Sequence, residues 1–114
     1  MIHSLDGRVF RARVAVRTPE QGGRAHPVNR EYRADLVFEA DPSQYYGGGF
    51  LSEEKSDSWA IAPGEAREVD FYIRVPEVAA RIAPPLQIGS PFTMNEGHRT
   101  VADCVVTKIY LDDE

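Results

Sequence analysis

Apolar and polar residues alternate along much of this chain with a period of two, the pattern of a strand with one buried and one wet face. Across residues 9–17, Phe10, Ala12, Val14 and Val16 share one face, while Arg11, Arg13 and Arg17 share the other. Across residues 32–40, Tyr32, Ala34, Leu36 and Phe38 alternate with Arg33, Asp35 and Glu39. Across residues 68–75, Val69, Phe71, Ile73 and Val75 alternate with Asp70, Tyr72 and Arg74. Further strands are predicted over residues 86–94 and 100–111, with a short one at 58–61. In the run 100–111, Asp103 falls in phase with Val101 and Val105. That conflict predicts either a β-bulge or a strand buried on both faces.

Turn-forming residues separate these runs at 18–27, 41–49, 62–64 and 83–85. Pro63-Gly64 predicts a tight turn, because proline presets φ and glycine accepts positive φ. Residues 77–82 fit one short helical turn. The sequence contains no long helical period, internal repeat or linker. Several short strands with regular turns predict an all-β domain, either a sandwich or a closed barrel.

The 114 residues suit one domain spanning 1–114, with an ordered core over 8–111 and a variable loop region over 41–58. Apolar residues make up 42% and charged residues 27%, so the chain has enough apolar surface to fold. Cys104 is the one cysteine, which excludes an intramolecular disulfide and fits a reducing compartment. No apolar run approaches the roughly 20 residues that span a bilayer. The Met1-Ile2-His3-Ser4 start lacks the basic-then-apolar pattern of a signal peptide. A cytoplasmic location without membrane attachment is therefore expected.

The net charge of −5 is unevenly spread. Arg8, Arg11, Arg13, Arg17, Arg24, Arg30 and Arg33 face only Asp6, Glu20 and Glu31 in the first third, a balance of +4. Of the 13 basic and 18 acidic residues, six and fifteen remain for the rest, a balance of −9. Such polarity suits contact with charged partners, but the whole chain is not basic enough to indicate nucleic-acid binding by charge alone.

Four segments, in order, resemble one family. Phe10-Arg11-Ala12-Arg13-Val14 followed by Gln21-Gly22-Gly23-Arg24-Ala25-His26-Pro27 is similar to a strand and a Glu-Gly-Gly-Arg-x-x-Pro loop. Glu31-Tyr32-Arg33-Ala34-Asp35-Leu36-Val37-Phe38 is similar to Gly-Tyr-Arg-Pro-Gln-Phe-x-Phe. Ile61-Ala62-Pro63-Gly64 matches a Met/Ile-x-Pro-Gly turn. Asn95-Glu96-Gly97-His98-Arg99-Thr100-Val101-Ala102-Asp103-Cys104-Val105-Val106 is similar to Arg-Glu-Gly-Gly-Arg-Thr-Val-Gly-x-Gly-Val-Val. These are motifs of the C-terminal (third) β-barrel of the elongation factor Tu family. The resemblance covers roughly residues 8–111 and implies a single closed antiparallel β-barrel of about six strands. It also implies loops that face the T-stem of aminoacyl-tRNA and a GTPase domain, with Arg24 and Arg99 converging on a cationic end. The chain departs from the family at Glu31, Ala34, Asp35, His98, Ala102 and Cys104. The added bulk, and the negative charge of Asp35, weigh against inherited tRNA binding.

The candidate binding residues are Gly22, Gly23, Arg24, Arg33, Tyr45, Tyr46, His98 and Arg99. Two readings of Gly22-Gly23-Arg24 compete. Either amides and a guanidinium face a phosphate or carboxylate, or the loop needs positive φ and Arg24 pairs with a nearby acid. His98 and Arg99 fall in a hairpin turn that either binds or merely connects. Tyr45-Tyr46-Gly47-Gly48-Gly49-Phe50-Leu51 reads as a flexible aromatic tip, for contact or for folding back on the barrel. Trp59 reads as core.

Nothing in the sequence resembles catalytic machinery. His3, His26 and His98 lack a nucleophile and orienting partner at readable spacing, Cys104 falls in a strand, and no ligand spacing suggests zinc. No phosphate-loop motif is present, so no nucleotide or other cofactor is expected. Asp112-Asp113-Glu114 reads as an acidic tail. The leading expectation is a non-enzymatic binding module for a protein partner connected with translation. The alternatives are an immunity-type inhibitor masking a toxin, and an RNA- or tRNA-binding module acting through Arg24, Arg33 and Arg99.

Overall fold

In a computed structural model, which describes residues 9–51, 59–73 and 87–110, the chain forms a closed six-stranded antiparallel β-barrel. The strands are β1 (Phe10–Val16), β2 (Val28–Asn29), β3 (Arg33–Phe38), β4 (Tyr46–Phe50), β5 (Ala60–Ile61), β6 (Ala66–Ile73), β7 (Pro91–Glu96) and β8 (Arg99–Ile109). The barrel runs β1-β6-β4-β3-β7-β8 and closes from β8 back to β1, while β2 and β5 form a separate two-stranded pair. The helical turn expected at 77–82, the breaker at 83–85 and the tail at 112–114 lie outside the described residues, as do 1–8, 52–58 and the expected strand residues 74–75, 86 and 111.

The period-two faces point as their patterns require. Phe10, Ala12, Val14 and Val16 are buried, as are Leu36 and Phe38, and Val69, Phe71 and Ile73. Their aromatic rings form the centre of the barrel. Phe10 stacks on Phe71 at 5.0 Å and meets Phe92 edge-on at 5.3 Å, and Phe38 stacks on Phe92 at 4.9 Å. Trp59 is buried and meets Phe50 edge-on at 5.6 Å. Val28 and Ile61 join the same core from the small sheet. The Pro63-Gly64 turn forms as expected: Gly64 takes φ +88°, and Glu65 N–H donates to the Ala62 carbonyl at 2.9 Å.

Three features depart from the alternation. The conflict in β8 resolves as a bulge, because pairing with β7 skips Val101 between Ala102↔Met94 and Thr100↔Asn95. Val101 and Ala102 are therefore buried in succession, and Ala102, Cys104 and Val106 carry the inward phase beyond them. Asp70, expected on the wet face, is instead buried. Arg11, its partner across β1, reaches it at 3.4 Å, and the Tyr110 hydroxyl donates to it at 2.8 Å, so this outer position is roofed by polar side chains. Burial, then the bond to Asp70, pushes the Tyr110 hydroxyl above its ordinary pKa.

The third departure is β4. Residues 46–50 form a barrel strand between β3 and β6, not a loop tip. Strands cross tightly here. A Cβ on Gly48 would lie 2.6 Å from the Tyr72 carbonyl oxygen and 3.1 Å from Leu36 Cδ1, and one on Gly49 would lie 2.8 Å from the Tyr32 carbonyl oxygen. Glycine is used here for close approach rather than for flexibility.

Candidate functional site

The turn 18–23 prepares one end of the barrel. Pro19–Gln21 makes a single 3-10 turn, which Gly22 ends at φ +89°. Gly22 N–H donates to the Pro19 carbonyl at 3.0 Å and Gly23 N–H to the Thr18 carbonyl at 2.9 Å. Both amides are therefore satisfied inside the turn rather than aimed at an anion. Gly23 is required sterically, since a Cβ there would fall 2.4 Å from the Arg17 carbonyl oxygen.

This turn delivers Arg24 to the β7–β8 hairpin. Its guanidinium lies 3.1 Å from Glu96 Oε1 and 5.1 Å above the Tyr32 ring, and the Tyr32 hydroxyl donates to the same oxygen at 2.6 Å. Burial, reinforced by the hydrogen bond to Glu96, raises the Tyr32 pKa. Of the two readings of the glycine-arginine loop, the structure has Arg24 paired with an acid. Glu96 pairs across the hairpin with Arg99, and the exposed His98 completes a two-residue turn whose Gly97 takes φ +57°. Arg24 and Arg99 thus reach the same end of the barrel, with Glu96 between them neutralising part of the charge.

Beside this cluster a trough of about 240 Å³ runs over the outer wall, lined by Arg33, Asp35, Gly47, Tyr72, Asn95 and Glu96. Register explains its shape. Arg33, Gly49 and Tyr72 form one outward row, and Asn95, Asp35 and Gly47 form the next. Tyr72 lies across Gly49 in the first row, and Gly47 ends the second row beside Asp35, so the side-chain-free backbone of Gly47 and Gly48 lines the trough between Tyr72 and the residues of β3 and β7. Among the described residues, Asn95 Oδ1 is buried there without a hydrogen-bond partner. Arg33 and Tyr72 also border a second surface depression, together with Arg30 and Glu31.

Of the expected site residues, Arg24, Arg33, His98 and Arg99 collect at this end. Tyr45 is 69% exposed and precedes β4 at its far end, since Tyr46 pairs with Leu36 and Gly49 with Arg33. Tyr46 is not a surface contact: it is buried, with its ring edge-on to Phe38 at 6.0 Å. Tyr32, Tyr72, Asn95 and Glu96 belong to the site and were not singled out by the sequence. Tyr72 left a trace there as an aromatic residue on an outward strand position, and Tyr32, Asn95 and Glu96 as members of the quoted motif segments.

Among the described residues no three His, Cys, Asp or Glu side chains cluster as metal ligands, and no helix is long and apolar enough to cross a membrane. Cys104 is buried, and burial, then the Asp103 charge, raises its thiol pKa well above the ordinary value. No family model matches the sequence, and no curated protein matches it.

Proposed function

We propose that this chain is a non-enzymatic binding module that engages a protein partner through the trough on β3, β4 and β7. The observation carrying this reading is the trough itself. Polar groups of both signs stand on strands of a closed barrel around a backbone floor, and one buried acceptor, Asn95 Oδ1, has no hydrogen-bond partner among the described residues. A protein segment supplies what this surface lacks: a carboxylate or carbonyl for Arg33 and an N–H or ammonium for Asp35 and Asn95. The same acids, Asp35 and Glu96, repel phosphate, which favours protein over RNA. The resemblance to the third barrel of elongation factor Tu supports a partner connected with translation.

The test is retention by the immobilised chain and its Arg33→Glu variant. Recovery of a translation component by the wild type, lost with the variant, is the expected result. Recovery of none, or equal recovery by both, rejects the reading.

A further inference from the structure

On the opposite side of β3 from the trough floor, the outer wall of β1, β8, β7 and β3 carries a second, largely apolar depression of about 460 Å³. Two outward rows cross it. In the first, Arg13 pairs with Val105 and Val105 with Pro91, while Glu39 N–H donates to the Pro91 carbonyl at 3.1 Å. In the second, Ala15 pairs with Asp103, Asp103 with Thr93, and Thr93 with Val37. Val105 is 44% exposed, unusually high for a valine in the middle of a strand. Arg17 holds Asp103 through two 2.8 Å bonds. Arg13 and Glu39 are exposed, and neither has an ion-pair partner among the described residues.

The first row therefore reads cation, apolar, apolar, anion. Three strand spacings of about 4.8 Å separate its charged ends by about 14 Å. That order is self-complementary under one operation. A two-fold axis parallel to the strands, passing between β8 and β7, lays each row on its own copy in reverse. Arg13 then meets the second copy's Glu39, Val105 meets Pro91, Ala15 meets Val37, and Asp103 meets the Thr93 hydroxyl. An axis running across the strands would instead set Arg13 on Arg13 and Glu39 on Glu39 if it followed the first row, or on Ala15 and Val37 if it passed between the rows, and neither places opposite charges together. We infer that this face joins two copies of the chain in an isologous dimer about the strand-parallel axis, leaving the trough free for the partner proposed above.

Sedimentation of the full chain across the micromolar to millimolar range tests this. The wild type is expected to show a weak, concentration-dependent dimer, because the patch is smaller than a standard interface. Val105→Glu abolishes it. Arg13→Glu and Glu39→Arg each weaken it about tenfold or more, since each creates two like-charge contacts per dimer. The double variant R13E/E39R restores it, because reversed charges again face opposite ones. Circular dichroism confirms folding, and Arg13→Gln and Glu39→Gln, expected to give intermediate weakening, replace any reversal that does not fold. A monomer throughout, assembly beyond a dimer, single variants that associate normally, or a double variant as weak as the singles each overturn the inference.

Discussion

Replacing Gly48 by alanine tests whether the glycine run is a barrel strand. Alanine ordinarily gains about 0.4–1 kcal/mol over glycine at a compatible backbone by restricting the unfolded chain, and Gly48 does not have positive φ. If residues 46–50 were a mobile tip, the variant would be neutral or slightly more stable. In the barrel the new Cβ falls 2.6 Å from the Tyr72 carbonyl oxygen and 3.1 Å from Leu36 Cδ1. Gly48 pairs with Ile73 on β6 and with Ala34 on β3, so neither neighbour moves without straining the ladder. Because the clash is with a backbone oxygen, the cost falls in the upper part, about 2–3 kcal/mol, of the usual range for overpacking, leaving a net loss of about 1–2 kcal/mol after the entropic gain. For a domain of this size that corresponds to a fall in Tm of about 4–10 °C. Thermal and urea unfolding followed by circular dichroism read it directly. A G48A chain as stable as wild type, or more so, would refute the placement of β4.

Other consequences are equally direct. Phe71→Ala removes a fully buried ring that stacks on Phe10 and meets Phe50 and Phe92 edge-on, and should lose about 3–5 kcal/mol in urea unfolding, whereas a loss under about 1 kcal/mol would contradict the packed centre. Gly23→Ala, with its Cβ 2.4 Å from the Arg17 carbonyl oxygen, should lower the midpoint more than Gln21→Ala does, and the reverse order would show that turn 18–23 is built differently. Arg17 holds the Asp103 carboxyl below its ordinary pKa, so the pair's stabilisation is present above the unfolded value near 4 and lost as pH falls through the lower folded one. Both side chains are substantially exposed, which limits the effect to about 0.5–1 kcal/mol; Asp103→Asn should remove that part of the acid limb, and an unchanged pH profile would deny the pair any role. Cys104 should react with a thiol reagent only at the rate of unfolding, and fast labelling of the native chain would contradict its burial.

Local alternation determined much of this protein. The faces of β1, β3 and β6 are legible because a strand's side chains alternate regardless of its neighbours, so Phe10, Leu36 and Phe71 declare themselves as core. The turn at Pro63-Gly64 is legible because its geometry is set within four residues. Only the tertiary structure decided β4, since Gly48 and Gly49 carry no hydrophobic signal and their necessity comes from Tyr72 and Tyr32, distant along the chain. The same holds for Asp70, whose burial depends on Arg11 and Tyr110 closing over it, and for Tyr46, which turns inward with its strand. The candidate site divides in the same way. Arg24 and Arg33 stand out by type, but Glu96 meets Arg24 and Tyr32 only because distant strands pair, which joins residues 72 and 64 positions apart. Side-chain period is a property of the backbone itself, whereas juxtaposition across the barrel depends on register, and no local pattern carries it.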